Sequence, residues 1–115
     1  MKLAICSTGP GLDDKAHDLF GRCDYFLIID LETEEVKAVK NEFAASSTGA
    51  GTACAQIIFN EGVEAVVSGK AGPNAYEVLN QAGIDIFLLP PGLKVKDALE
   101  KYKAGSLRKM EITQF

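Results

Sequence analysis

The 115-residue chain reads as an α/β domain in which a strand hairpin leads into successive βα units. Three observations predict this. Short apolar or β-branched runs recur at 2–7, 24–30, 35–40, 64–68 and 84–89. Stretches with apolar residues at helical spacing, 50–61, 73–82 and 94–104, follow the third, fourth and fifth of those runs. Glycine and proline stops separate most of these segments. The implied order is β-β-β-α-β-α-β-α, a mixed five-stranded sheet with helices on its faces. No repeat, linker or low-complexity segment divides residues 1–115, so one domain is expected, with 106–115 as a C-terminal tail.

Each element has a local reason. The run from Lys2 to Ser7 ends in Thr8-Gly9-Pro10-Gly11, a strong strand stop. Residues 9–21 form a polar loop that carries His17, the single histidine. The second run, Cys23 to Asp30, is aromatic and β-branched, and the tight connection 31–34 pairs it with the alternating run after it. The fourth run, Glu64 to Ser68, is short and apolar, as a strand buried on both faces should be. Pro73 suits a first helical position, and Ala75, Val78, Leu79 and Ala82 follow at helical spacing before Gly83. Pro90-Pro91-Gly92 ends the fifth run. Val95, Ala98, Leu99 and Tyr102 mark a last amphipathic helix, closed by Gly105.

Composition bounds the function. Hydrophobic residues make up 47% and charged residues 24%, an ordinary globular balance. A net charge of −4 argues against general nucleic-acid affinity. No apolar run approaches the ~20 residues of a membrane helix. The N-terminus enters strand-like sequence without a signal-peptide cleavage pattern, so a cytoplasmic protein is expected. Three cysteines, Cys6, Cys23 and Cys54, do not suggest a secreted disulfide framework.

The chemistry centres on residues 46–62, Ser-Ser-Thr-Gly-Ala-Gly-Thr-Ala-Cys-Ala-Gln-Ile-Ile-Phe-Asn-Glu-Gly. Gly49, Ala50, Gly51 and Thr52 place a helix start within a run of small residues. Free N–H groups and the positive end of the helix dipole favour an anion there. Cys54, in or near the first turn, would then be held towards a thiolate. The bland alternative is a glycine-rich connection followed by a core helix with a buried cysteine.

Topology sharpens this. If the first two strands are antiparallel and the fourth is parallel to the first, one sheet end receives Cys6, Cys23, Cys54 and the two glycine loops. The second loop runs through Gly69, Lys70 and Gly72. Ligands collect at that end of open α/β sheets. The cysteines then have three readings: unrelated buried thiols, a redox pair of Cys6 with Cys23, or thiolates for a soft metal or iron–sulfur cluster. His17 reads as a solvated surface residue. The glycine loops lack Walker spacing and the full dinucleotide fingerprint. No carboxylate set for metal-assisted hydrolysis and no Ser-His-Asp arrangement is legible.

Phe20-Gly21-Arg22-Cys23-Asp24-Tyr25-Phe26 resembles the Phe-Gly-Arg-x-x-Tyr-Phe segment of the dinitrogenase iron–molybdenum cofactor biosynthesis family. That family includes NifX, NafY, the C-terminal part of many NifB proteins and the orange protein with its molybdenum–copper–sulfur cluster. Gly62-Val63-Glu64-Ala65-Val66-Val67-Ser68-Gly69 and Gly72-Pro73-Asn74-Ala75 resemble its second conserved region, and Ala82-Gly83-Ile84 its third. The resemblance covers residues 1 to about 105. It implies a ribonuclease-H-like fold without nuclease activity, and binding or carriage of an anionic metallocluster. Many relatives carry a histidine-rich stretch after the third strand. Residues 41–52 here contain no histidine. Cysteine ligation by Cys6, Cys23 and Cys54, or electrostatic holding by N–H groups with Arg22 and Lys70, stands in its place.

The expectation is therefore a non-enzymatic binding protein for a metal–sulfur cluster, iron–sulfur or molybdenum-containing, or its precursor. Its site would be Gly49, Ala50, Gly51, Thr52, Arg22, Gly69, Lys70, Gly72 and Asn74, with the three cysteines as metal ligands. Cluster donor or acceptor proteins would be its partners, with neither nucleic acid nor membrane. The alternatives are a nucleotide- or phosphate-binding regulatory module and a protein-interaction domain.

Overall fold

The computed structural model describes residues 1–44 and 50–110. In chain order come β1 (Lys2–Ser7), β2 (Tyr25–Asp30), β3 (Val36–Lys40), α1 (Ala50–Asn60), β4 (Ala65–Ser68), α2 (Pro73–Gln81), β5 (Asp85–Leu88) and α3 (Val95–Lys103). Each begins and ends within one residue of the range read from the sequence. Glycine is the reason for much of that agreement. Gly62, Gly83 and Gly105 follow α1, α2 and α3 with φ of 73°, 76° and 70°, the left-handed conformation that ends a helix and suits a residue without Cβ.

The five strands form one sheet in the order β3-β2-β1-β4-β5. β1 pairs antiparallel with β2 (Cys6 opposite Phe26) and parallel with β4 (Ile5 opposite Val67). β3 pairs antiparallel with β2, and β5 parallel with β4. β1 is therefore central and covered on both faces, which is why its side chains are apolar without alternation.

Strand parity divides the core in two. Ala4, Cys6, Phe26, Ile28 and Val66 meet Cys54, Ala55 and Ile58 of α1 and Ala75 and Leu79 of α2. Leu3, Ile5, Leu27, Ile29 and Val67 meet Val95, Ala98 and Leu99 of α3 and Leu107. The segment after α3, left open by the sequence, has a definite role up to Met110. Leu88 N–H donates to Arg108 O at 2.7 Å and Met110 N–H to Ile86 O at 2.7 Å, covering the outer edge of β5. Among the described residues, no helix is long and apolar enough to cross a membrane.

Candidate anion-binding site

One sheet end collects the exits of β1, β3 and β4, the entry to β2, and the starts of α1 and α2. The two helix starts touch. A Cβ built on Gly51, the second residue of α1, would stand 3.2 Å from Cβ of Ala75, the third residue of α2. The turn at 19–22 lies against the β4 exit, where Phe20 N–H donates to Lys70 O at 2.8 Å. Phe20 is buried against Phe26, their ring centroids 5.6 Å apart. Gly21 adopts φ 93°. The Phe-Gly-Arg segment is thus an anchor, a left-handed bend and an exposed cation in succession.

The starts of α2 and α3 differ. That of α3 is sealed by the loop after β1: Val95 N–H donates to Asp14 O and Lys96 N–H to Leu12 O, both at 2.9 Å. α2 begins after Gly72, whose φ −71° and ψ 168° suit any residue and which supplies no side-chain cap. A Cβ on Gly72 would meet nothing within 4 Å. A serine or aspartate there would cap the helix better, by a few tenths of a kcal/mol or more. The bare start therefore leaves N–H groups of the first turn open to an anion. Thr52, Asn74, Lys70 and Arg22 are exposed on the segments that meet at this sheet end. Arg22 Nη1 also donates to Ala44 O at 3.2 Å.

At Gly69 a Cβ would collide with the carbonyl oxygen of Asp18, so its lack of a side chain admits the neighbouring loop. Gly49 lies outside the described residues, and Ala50 is the first residue of α1.

The cysteines are brought to the predicted end, but they point inward. Cys6, Cys23 and Cys54 are each 0% exposed, free and part of the core under α1 and α2. Parity explains Cys6, which shares the inward face of β1 with Ala4. Burial pushes the Cys6 thiol well above its ordinary range, and its neighbour Cys23 adds to this, while a hydrogen bond with Ser68 opposes it. Burial also pushes Cys54 up to about 11. The proximity of Cys23 adds to that, while Asn41 and Arg22 pull it back. Burial thus opposes the thiolate expected from the helix dipole at Cys54, the fifth residue of α1. Among the described residues no three His, Cys, Asp or Glu side chains are placed to hold a metal ion. His17 is half-buried and accepts a hydrogen bond from Leu19 N–H at Nδ1 (3.0 Å), which makes it a loop brace.

An open groove of about 600 Å³ lies beside this end, lined by Thr8, Asp24, Tyr25, Lys40, Asn41, Glu42 and Ala44. Two carboxylates against one ammonium make it a poor anion site. The residue that the sequence reading missed is Asn41, which is 4% exposed and hydrogen-bonded to three segments. A lone asparagine at a strand end carries no periodic signal that would have found it.

The molecule is a small α/β domain in which two touching helix starts stand over one end of a mixed sheet. The chain belongs to the dinitrogenase iron–molybdenum cofactor family: the profile described as "Dinitrogenase iron-molybdenum cofactor" matches residues 1–105. It is 34% identical over 114 residues to the uncharacterized protein MJ0580 of Methanocaldococcus jannaschii, spanning 96% of this chain and 92% of that one. The apo form of the orange protein from Desulfovibrio gigas is similar in structure (TM-score 0.91, 31% identity, 95% of this chain and 92% of that one). So is a putative NifB protein from Thermotoga, ascribed to the DUF35 family and solved by NMR (TM-score 0.84, 33% identity, 99% and 95%).

Proposed function

We propose that this chain binds and carries an anionic metal–sulfur cluster, iron–sulfur or molybdenum-containing, or a precursor of one, as cargo and without catalysing its conversion. The observation that carries this is the pair of touching helix starts, one preceded by an uncapped glycine, in a protein of the iron–molybdenum cofactor family. The likeness to the orange protein and to a putative NifB protein supports the same cargo class, and the sheet order supports a ribonuclease-H-like fold.

The holding chemistry is electrostatic. N–H groups at the starts of α1 and α2 receive the anion, with Thr52 and Asn74 beside them. Arg22 and Lys70 offset part of its charge, although exposed cations contribute little individually. Cys6, Cys23 and Cys54 lie buried beneath this floor, so backbone and cations form the donor set. Cluster donor and acceptor proteins are the partners that such a role requires.

The test is reconstitution under anaerobic conditions with iron–sulfur or tetrathiomolybdate species, followed by ultraviolet–visible spectra and metal analysis. Wild type and each Cys→Ala variant are expected to hold the cargo alike. Failure of wild type to take up any such species, with saturable binding of phosphate or a nucleotide instead, would move the site to the regulatory-module alternative.

A further inference from the structure

We propose that Asn41 is a positioning residue: its side-chain amide fixes where the Arg22 turn stands relative to α1. Through that placement it sets the cationic wall of the anion site, a consequence that rests on the cluster-binding role above. Asn41 directly follows β3. Among the described residues the buried polar side chains are Ser7, Asn41 and Ser68. Each serine bonds a carbonyl two residues away, Gly9 O and Lys70 O respectively, and Ser68 also bonds the Cys6 thiol on the adjacent strand. Asn41 instead reaches across the fold. Nδ2 donates to Gly21 O at 3.1 Å and to Cys23 O at 2.8 Å, while Oδ1 accepts Phe43 N–H at 3.0 Å and Cys54 Sγ–H at 3.2 Å. Its own N–H donates to Asp24 O at 2.9 Å.

Every hydrogen-bonding position of the amide is used, and its orientation is fixed. The carbonyls of Gly21 and Cys23 need donors and Phe43 N–H needs an acceptor, so exchanging Oδ1 and Nδ2 would oppose like with like. Without the amide, those groups would sit beside the core without these partners, a costly condition. The result is a clamp with two jaws. From inside, Asn41 holds the 21–23 turn to Cys54 of α1. From outside, Arg22 Nη1 holds the Ala44 carbonyl, on the chain that leads from β3 towards α1. The position of the Arg22 guanidinium therefore depends on Asn41, although the two side chains serve different partners.

Asn41→Asp keeps the shape and replaces both donated bonds with a carboxylate oxygen facing two carbonyls. Asn41→Ser, which is smaller and uncharged, serves should the aspartate variant fold poorly. Two measurements decide. The first is a double-mutant cycle of tetrathiomolybdate affinity over wild type, Asn41→Asp, Arg22→Gln and the double variant. Asn41→Asp is expected to weaken binding about tenfold in the wild-type background and less than about twofold with Arg22→Gln. Equal weakening in both backgrounds, or none in either, overturns the coupling to Arg22. The second is the rate of N-ethylmaleimide alkylation of each cysteine. Release of the clamp is expected to raise the Cys54 rate about tenfold relative to that of Cys6, which lies in the central strand. Equal acceleration of both thiols would mean global destabilisation and would overturn the positioning role. If wild type binds no tetrathiomolybdate, the cluster-binding role falls, and the alkylation ratio decides the clamp alone.

Discussion

Gly69 and Gly72 stand three residues apart and do different work. At Gly69 a methyl group would strike the Asp18 carbonyl, a backbone atom that cannot rotate away. Gly69→Ala should destabilise the fold by about 1–3 kcal/mol, measured as a lowered urea midpoint. At Gly72 nothing obstructs a side chain. Glu34 is the opposite case to Gly69: a side chain where glycine would be better. It adopts φ 65° in the β2–β3 turn and pairs with Lys103 at 3.8 Å through a largely exposed carboxylate. Such a pair contributes little. Glu34→Gly should therefore raise stability by about 0.5–1 kcal/mol, and an unchanged or lower urea midpoint would contradict this.

The buried thiols give the fold a pH dependence whose sign follows from the raised values. The folded protein keeps the Cys54 proton up to about 11, above the ordinary value of 9.0, so between these limits the unfolded chain binds fewer protons. The stabilisation is fully present below pH 9.0 and lost as pH rises towards 11, by at most about 1.4 kcal/mol per pH unit for each such thiol. Cys6 acts in the same direction. Urea melts at pH 8, 9 and 10 should show falling stability over the last interval, and Cys54→Ala should flatten the slope. A slope unchanged in that variant would assign the loss to other groups.

At the scale of elements, α1 and α2 are held together where they start. The second residue of α1 is a glycine because Ala75 stands against it. Gly51→Val should separate the two helices at a cost of about 1–3 kcal/mol and disturb the Ala75 amide signal. The positions of all eight elements were legible because Gly62, Gly83, Gly105 and the Pro90-Pro91-Gly92 turn fall where the helical and strand periods end. The meeting of the cysteines was legible too, since it follows from strand direction. Their orientation was not. Cys6 faces the helices through the parity of β1, and the sequence permits either parity in a strand that is apolar on both sides. Gly69 and Gly72 look alike in sequence and part company only because the 17–19 loop folds across one of them. Asn41 escaped notice because its partners, Gly21, Cys23 and Cys54, lie 20, 18 and 13 residues away.

For the molecule as a whole, the decisive contrast is between its two sheet ends. One end has the touching starts of α1 and α2, the second without a side-chain cap, together with Arg22 and Lys70. The other has a groove of about 260 Å³ in which Asp30, Glu35 and Glu61 outnumber Lys2 and Lys37, and an anion should avoid it. The most direct measurement is a tetrathiomolybdate titration of wild type and Gly72→Asp, followed by backbone amide NMR. The aspartate fits the backbone at this position and caps α2 itself, so the variant should be at least as stable as wild type. Wild type should show saturable shifts at Gly51, Thr52, Asn74 and Ala75, and Gly72→Asp should lose them while keeping its stability. Equal shifts in the variant, or wild-type shifts confined to the Asp30 and Glu61 end, would contradict an anion site at the paired helix starts.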